Sequence, residues 1–162
     1  MKIEKTALDG VYIINNFNAS DERGLFVKTF NKTTFQKNNL DFNIRESYYS
    51  VSKKNVIRGM HFQLPPNDHH KLVFVPKGKI VDVVVDLRRH SKTYKKTFST
   101  VLSAENKKAI LIPKGFAHGF KSMIDNTITM YNVSSTYDKA TDSGILYNSI
   151  NFGWDVKNPI VS

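Results

Sequence analysis

The chain has 162 residues, no cysteine and a formal net charge of +10. Its length suits a single domain spanning 1–162, and 40% hydrophobic against 23% charged residues is the balance of a folded globular protein. Disulfides and thiolate metal sites are excluded, and no apolar stretch nears the ~20 residues of a membrane helix. The lysines are dispersed in pairs such as Lys53-Lys54, Lys95-Lys96 and Lys107-Lys108. No helix-turn-helix, RNP-type or finger signature accompanies them, so nucleic acid is not an expected partner. The N-terminus, MKIEKTALDGVYII, lacks a long apolar run followed by small residues, and a cytoplasmic protein is expected.

Period-two alternation dominates the chain. Gly10–Ile14 and Leu25–Phe30 read as short strands on either side of a polar turn, NASDERG. Thr33–Asn39 is the one helical patch, opening on a capping-type threonine. Ile44–Val51 alternates weakly, and Val56–Gln63 is a strand stopped by Pro65-Pro66, which lack the N–H a ladder needs. Lys71–Pro76 and Lys79–Leu87 predict a hairpin around Lys77-Gly78. Thr97–Leu102, Lys108–Ile112, Gly119–Met123 and Ile128–Ser134 continue the series at the spacing of a barrel or sandwich. Within IVDVVVDL, Val81, Val83, Val85 and Leu87 share one face and Asp82, Val84 and Asp86 the other. The acidic face is either solvated or turned into a polar cavity. The last segment, SINFGWDVKNPIVS, is irregular, with Trp154 as its anchor.

Reactive side chains concentrate in three patches: Arg58-Gly-Met-His61-Phe-Gln63, Asp68-His69-His70-Lys71, and Pro113-Lys-Gly-Phe-Ala-His118-Gly. A neutral imidazole at His61, flanked by the cations Arg58 and Lys71, could take a proton from an anionic substrate whose developing charge those cations offset. A structural histidine bonded to a backbone carbonyl is the competing reading of His61. PKGFAH has the P-x-G-x-x-H form of the second cupin motif, a tight turn feeding a barrel strand. The metal-binding version needs H-x-H in the first motif, where this chain has His61-Phe-Gln63. His61, His69 and His118 are the residues left for a metal.

The runs SDERG, SKKNVIRGMHFQ, KLVFVPKGKIVDVVVDLR, SKTY, LSAENKKAILIPKGFAHGF and DSGILYNSINFGWDVKNPIVS together resemble the dTDP-4-dehydrorhamnose 3,5-epimerase family over nearly the whole chain. The resemblance implies an all-β cupin-type jelly roll with one or two short helices, a homodimer, and neither a metal nor an organic cofactor. It implies base-catalysed epimerisation, through an enolate, of a nucleotide-linked 4-keto-6-deoxyhexose on the way to L-rhamnose. By the same resemblance His61 is the base, Lys71 stabilises the enolate oxygen and Tyr131 returns the proton from the opposite side. Arg58 and Arg23 are implied near the diphosphate, Phe26 and Tyr137 near the nucleotide, and His118 and Gln63 along the pocket.

Three departures accompany the resemblance. Glu46-Ser-Tyr48-Tyr49 stands where the family carries a Q-[DE]-N-type stretch, and Lys28 where it carries a glutamate. Glu46 and Tyr48 therefore join the candidate substrate contacts, and TDP-, CDP- or GDP-linked sugars are equally consistent. The resemblance also implies an aspartate behind His61 in an S-x-[KR]-D run just past Pro159-Ile-Val-Ser162. Asp82 or Asp86 is the candidate for that place. Epimerisation at C3, at C5 or at both stays open, as do a non-catalytic sugar-nucleotide binder and a metal-dependent cupin.

Overall fold

A computed structural model describes all residues, Met1–Ser162. In chain order the elements are β1 (Lys2–Lys5), β2 (Tyr12–Asn15), β3 (Phe17–Asp21), β4 (Gly24–Lys28), α1 (Lys32–Lys37), β5 (Glu46–Ser52), β6 (Val56–Gln63), β7 (Lys71–Lys77) and β8 (Lys79–Asp86). They continue with β9 (Thr97–Ser103), β10 (Lys108–Ile112), β11 (Phe116–Ser122), β12 (Thr127–Val133), β13 (Asp142–Gly144), a 3-10 turn at Tyr147–Ser149, and β14 (Ile160–Val161). One sheet runs β1-β2-β10-β7-β12-β5 and faces a second ordered β13-β6-β11-β8-β9, with β14 alongside β6. The strands β3 and β4 form a separate two-stranded arm. This is the all-β jelly roll expected, with a single short helix.

Alternation along the strands sorts side chains into three apolar layers. Between the sheets lie Ile13, Val73, Val75, Ile80, Val84, Ile110, Ile112, Phe116, Phe120 and Tyr131. The outer face of the first sheet carries Ile14, Leu72, Ala109 and Leu111, covered by Phe35 of α1 and by Phe42. The outer face of the second sheet carries Ile57, Met60, Val83, Val85 and Ala117, covered by Trp154 of the C-terminal segment. Trp154 is fixed there by donating its indole N–H to the Tyr147 carbonyl, 2.9 Å away. The segment is thus anchored as expected, and its last residues pair with β6, Ile160 opposite Val56 and Val161 opposite Ile57.

The predicted hairpin around Lys77-Gly78 does not form. β7 belongs to the first sheet and β8 to the second, so the chain crosses between sheets at that turn. Both strands carry buried apolar residues on each face, and each needs one layer of the core on either side. Gly78 makes the sharp crossing with φ of 90°, and a Cβ there would lie 2.8 Å from the Thr127 Cα. Two further expectations shift. NASDERG is mostly strand, because Asn18 to Asp21 pair with Val27 to Gly24 and only Glu22 and Arg23 turn. The helix is capped by Asn31 rather than Thr33, its Oδ1 accepting from the Thr34 N–H at 2.8 Å.

Candidate active site

The site is organised by a break in strand register. On β6, Arg58 pairs with Phe120 and His61 with His118, so Gly59 and Met60 together oppose Gly119 alone. In an unbroken strand residues 58 and 61 would point to opposite faces. The bulge turns both Arg58 and His61 inward, while Met60 packs outward against Trp154. Only glycine permits it: a Cβ on Gly59 would sit 2.5 Å from the Gly119 Cα, and one on Gly119 would sit 2.7 Å from the Met60 sulfur.

Two adjoining cavities open between the sheets, of about 310 Å³ and 290 Å³, in the range of small-molecule sites. Tyr48, His61 and Lys71 line both. The first adds Glu46, Gln63, His69, Tyr137 and Asp142; the second adds Ser50, Arg58, His118, Phe120, Tyr131 and Ser162. Nine of the eleven expected site residues therefore converge. Arg23 and Phe26 do not: both lie on the exposed arm, Arg23 paired with Asp21 at 2.6 Å and Phe26 56% exposed.

The titration of the central groups follows from where they sit. Partial burial lowers the pKa of His61 below 6.5, and the neighbouring charge of Lys71 lowers it further, outweighing the Ser162 backbone and Asp142. The imidazole is therefore neutral at neutral pH, the form a base requires. Lys71, 9% exposed, reaches the His61 carbonyl at 3.4 Å. Burial drops its pKa from 10.5 to about 8 against the pull of Asp142 and Asp82, leaving it mostly cationic at neutral pH. Tyr131 is pushed up by burial, so its phenol stays protonated; its hydroxyl lies 3.4 Å from Ser50 Oγ. Tyr48 is also raised, to about 12, by burial and by the charges of Glu46 and Asp142.

The carboxylates are not where the sequence reading put them. Asp82 does turn inward, but it stands behind His118: the ring Nε2–H donates to Asp82 Oδ2 at 2.8 Å, with His118 4% and Asp82 0% exposed. Asp86 is held by Arg88 Nε at 2.9 Å and Nη2 at 2.8 Å and by the hydroxyls of Ser91 and Thr93, each at 2.6 Å. Burial of Asp86 is outweighed by those donors, which hold its pKa well below the usual carboxylate range. Neither aspartate reaches His61, because both lie on β8 and β11 separates that strand from β6.

Around the first cavity the polar groups brace one another. Gln63 donates to the carbonyls of Asn67 at 2.9 Å and Thr136 at 3.2 Å, and accepts from the Asp138 N–H at 2.8 Å. Glu46 accepts from the Tyr137 N–H at 2.7 Å. Arg58 is steadied by Ser52 Oγ at 3.1 Å. His69 packs against Gln63 and Asn67, its Nδ1 3.2 Å from each, and its pKa is lowered to about 4 mainly by burial. No three His, Asp or Glu side chains are grouped to hold a metal ion. Asp142 was missed by sequence reasoning. It sits on the three-residue β13 opposite Gln63, and its charge acts on both His61 and Lys71. The one signal for it was an acid in the DSG run.

The sequence pattern of the dTDP-4-dehydrorhamnose 3,5-epimerase family matches residues 5–162. A dTDP-4-dehydrorhamnose 3,5-epimerase of Methanothermobacter thermautotrophicus is 42% identical over 93% of this chain and 81% of its own length. The crystal structure of the Bacillus anthracis enzyme with TDP and PPi bound superposes with a TM-score of 0.96 at 36% identity, covering 99% of this chain and 94% of that one. The Legionella pneumophila enzyme in complex with dTDP-4-keto-L-rhamnose gives a TM-score of 0.93 at 31% identity, covering 99% and 87%. With pattern, sequence and fold in agreement over nearly its full length, the chain belongs to the dTDP-4-dehydrorhamnose 3,5-epimerase family and is an isomerase.

Proposed function

We propose that this protein epimerises a nucleotide-linked 4-keto-6-deoxyhexose at C3, C5 or both, in deoxysugar biosynthesis in the cytoplasm. One observation carries the reading: His61, Lys71, His118 and Tyr131 line one cavity, with His61 and Tyr131 contributed by opposite sheets. The C4 ketone acidifies the neighbouring hydrogens. Neutral His61 takes the C3 or C5 proton, and the electron pair moves into an enolate whose oxygen is stabilised by the Lys71 ammonium. Tyr131 then delivers a proton to carbon from the other side, and solvent restores both groups. Tyr137, Glu46, Gln63 and Asp142 are assigned to the nucleotide end of the ligand, and Arg58 to the diphosphate. Because Glu46, Tyr48 and Lys28 depart from the family pattern, TDP, CDP and GDP are all retained as carriers.

The same reading makes the protein a homodimer. Phe17, Leu25 and Phe26 on the β3–β4 arm are 49%, 54% and 56% exposed, and Arg23 sits at its tip. An arm so apolar suits burial against a second copy, where Arg23 and Phe26 would meet that copy's cavity.

The test is a panel of TDP-, CDP- and GDP-linked 4-keto-6-deoxyhexoses in deuterated water, read by mass and NMR. Deuterium is expected at C3 or C5 with one carrier preferred, and His61→Ala should slow incorporation by about 10²–10⁴-fold. Full exchange by His61→Ala, or none by the wild type on any member, would sink the proposal. Light scattering that reports an active monomer would remove the dimer.

A further inference from the structure

The expected proton donor is weakly held by its own hydroxyl. Tyr131 has Ser50 Oγ as its one hydrogen-bonding neighbour, at 3.4 Å. Its ring, not its oxygen, fixes its place. His118 meets it edge to face with centroids 6.3 Å apart, and Phe120 lies tilted against it at 6.5 Å. Tyr48 stacks nearly parallel to it, centroids 4.9 Å apart and planes inclined by 19°. The stack is built into the sheet, since Tyr48 and Tyr131 are direct cross-strand partners of β5 and β12. Tyr48 is itself 41% exposed and lines both cavities, so beyond its ring lies open space into which Tyr131 could swing.

We propose that Tyr48 is a positioning residue that holds the Tyr131 phenol in line for proton return and thereby sets how often proton abstraction ends in inversion. This rests on the function proposed above. Once the enolate forms, two donors compete for the carbon. Protonated His61, once the proton it took has exchanged with solvent, returns one from the same side, giving exchange with retention. The Tyr131 O–H delivers from the opposite side, giving inversion and leaving a phenolate that solvent reprotonates. The phenol of Tyr131 is a reluctant acid in its buried site, so its share depends on close alignment with the carbon. Whatever removing the stack does to substrate binding, it lowers the share of the enolate that Tyr131 protonates relative to His61.

The experiment compares Tyr48→Phe, Tyr48→Leu and Tyr48→Ala with the wild type on the best panel substrate in deuterated water. Mass spectrometry counts deuterium incorporated and NMR counts inverted carbons; their ratio is independent of how tightly the substrate binds. Tyr48→Phe keeps the flat ring and should hold the wild-type ratio within about twofold. Tyr48→Leu and Tyr48→Ala should incorporate deuterium while the inversion ratio falls about five- to tenfold, the scale of a lost aromatic stack. Leucine preserves apolar bulk at a half-exposed position, so it decides the question even where alanine fails to fold. Wild-type ratios in Tyr48→Leu, or a Tyr48→Phe as impaired as it, would overturn the inference while leaving the epimerase reading standing. A wild type that exchanges nothing would overturn both.

Discussion

Lys71 is a buried cation whose presence should weaken the fold while serving the proposed reaction, and pH separates the two effects. Its pKa is 10.5 when free and about 8 in the folded protein. At about 1.4 kcal/mol per tenfold change in proton affinity, that difference corresponds to roughly 3 kcal/mol. Below pH 8 both folded and unfolded chains carry the proton, and the folded state bears the full desolvation penalty. Between pH 8 and 10.5 the unfolded chain binds more protons, so stability rises with pH; above 10.5 both forms are neutral and the penalty is gone. Lys71→Met, of similar length and without charge, should therefore be more stable than wild type at pH 7 by up to about 3 kcal/mol. For a chain of this size that is a gain of about 6–12 °C in Tm. The gain should shrink toward zero as pH approaches 10.5. Thermal unfolding of both proteins from pH 7 to 10.5 measures the difference directly, and other titrations cancel between them. Activity should move the other way in the wild type. The log of kcat/KM for exchange should fall above about pH 8, as the cation facing the enolate is lost, and also below an acid limb under pH 6.5, where His61 takes a proton. A pH-independent difference in Tm, or a rate that stays level to pH 10, would refute the assignment of a depressed ammonium at Lys71.

Two other perturbations test the framework of the site. Asp82→Ala removes the acceptor of the buried His118 Nε2–H and leaves that donor unsatisfied, which should cost about 1–3 kcal/mol, seen as a Tm lowered by about 2–12 °C, with exchange slowed as His118 loses its orientation; a Tm within 1 °C of wild type would argue against a structural pair. Gly119→Ala places a Cβ 2.9 Å from the Arg58 carbonyl oxygen and should force β6 and β11 apart, lowering stability by about 1–3 kcal/mol and exchange with it; chemical denaturation and the deuterium assay would report both.

How far the sequence could be read depended on how local each signal was. Val56–Gln63 and Lys108–Ile112 coincide with their strands to the residue, because alternation bounded by turn residues is a local pattern. The partners of β7 and β8 were not legible: Lys77-Gly78 suits a hairpin turn and a crossing between sheets equally well, and only the need to cover both faces decides. The bulge at Gly59 was hidden for the same reason, since alternation presumes an unbroken register, although a glycine inside a strand hints at one. Reactive side chains in the matched motifs could be named, but not their neighbours. Asp82 and Asp86 are candidates to back His61 on sequence because both lie on the polar face of one neighbouring strand; the strand order, invisible in sequence, gives Asp82 to His118 and leaves Asp86 with Arg88 instead. Arg23 and Phe26 stand off because the arm that carries them leaves the body of the chain.

The two-sheet construction supplies the opposed groups that the proposed inversion needs. Inversion at carbon requires an acid and a base on opposite faces of one planar enolate, and no single strand can supply both. A jelly roll presents two inward faces to a common space. β6 offers His61 from one sheet, and β12 offers Tyr131 from the other. The bulge then brings Arg58 to the same side as His61, so one strand supplies both the proposed base and a guanidinium suited to an anionic ligand. Lys71 enters at the start of β7, beside β12, where its ammonium reaches across to the His61 backbone. Each of these placements depends on register rather than on any flexible loop. A shift of one residue in β6 would turn His61 outward toward Trp154 and leave the cavity without its imidazole.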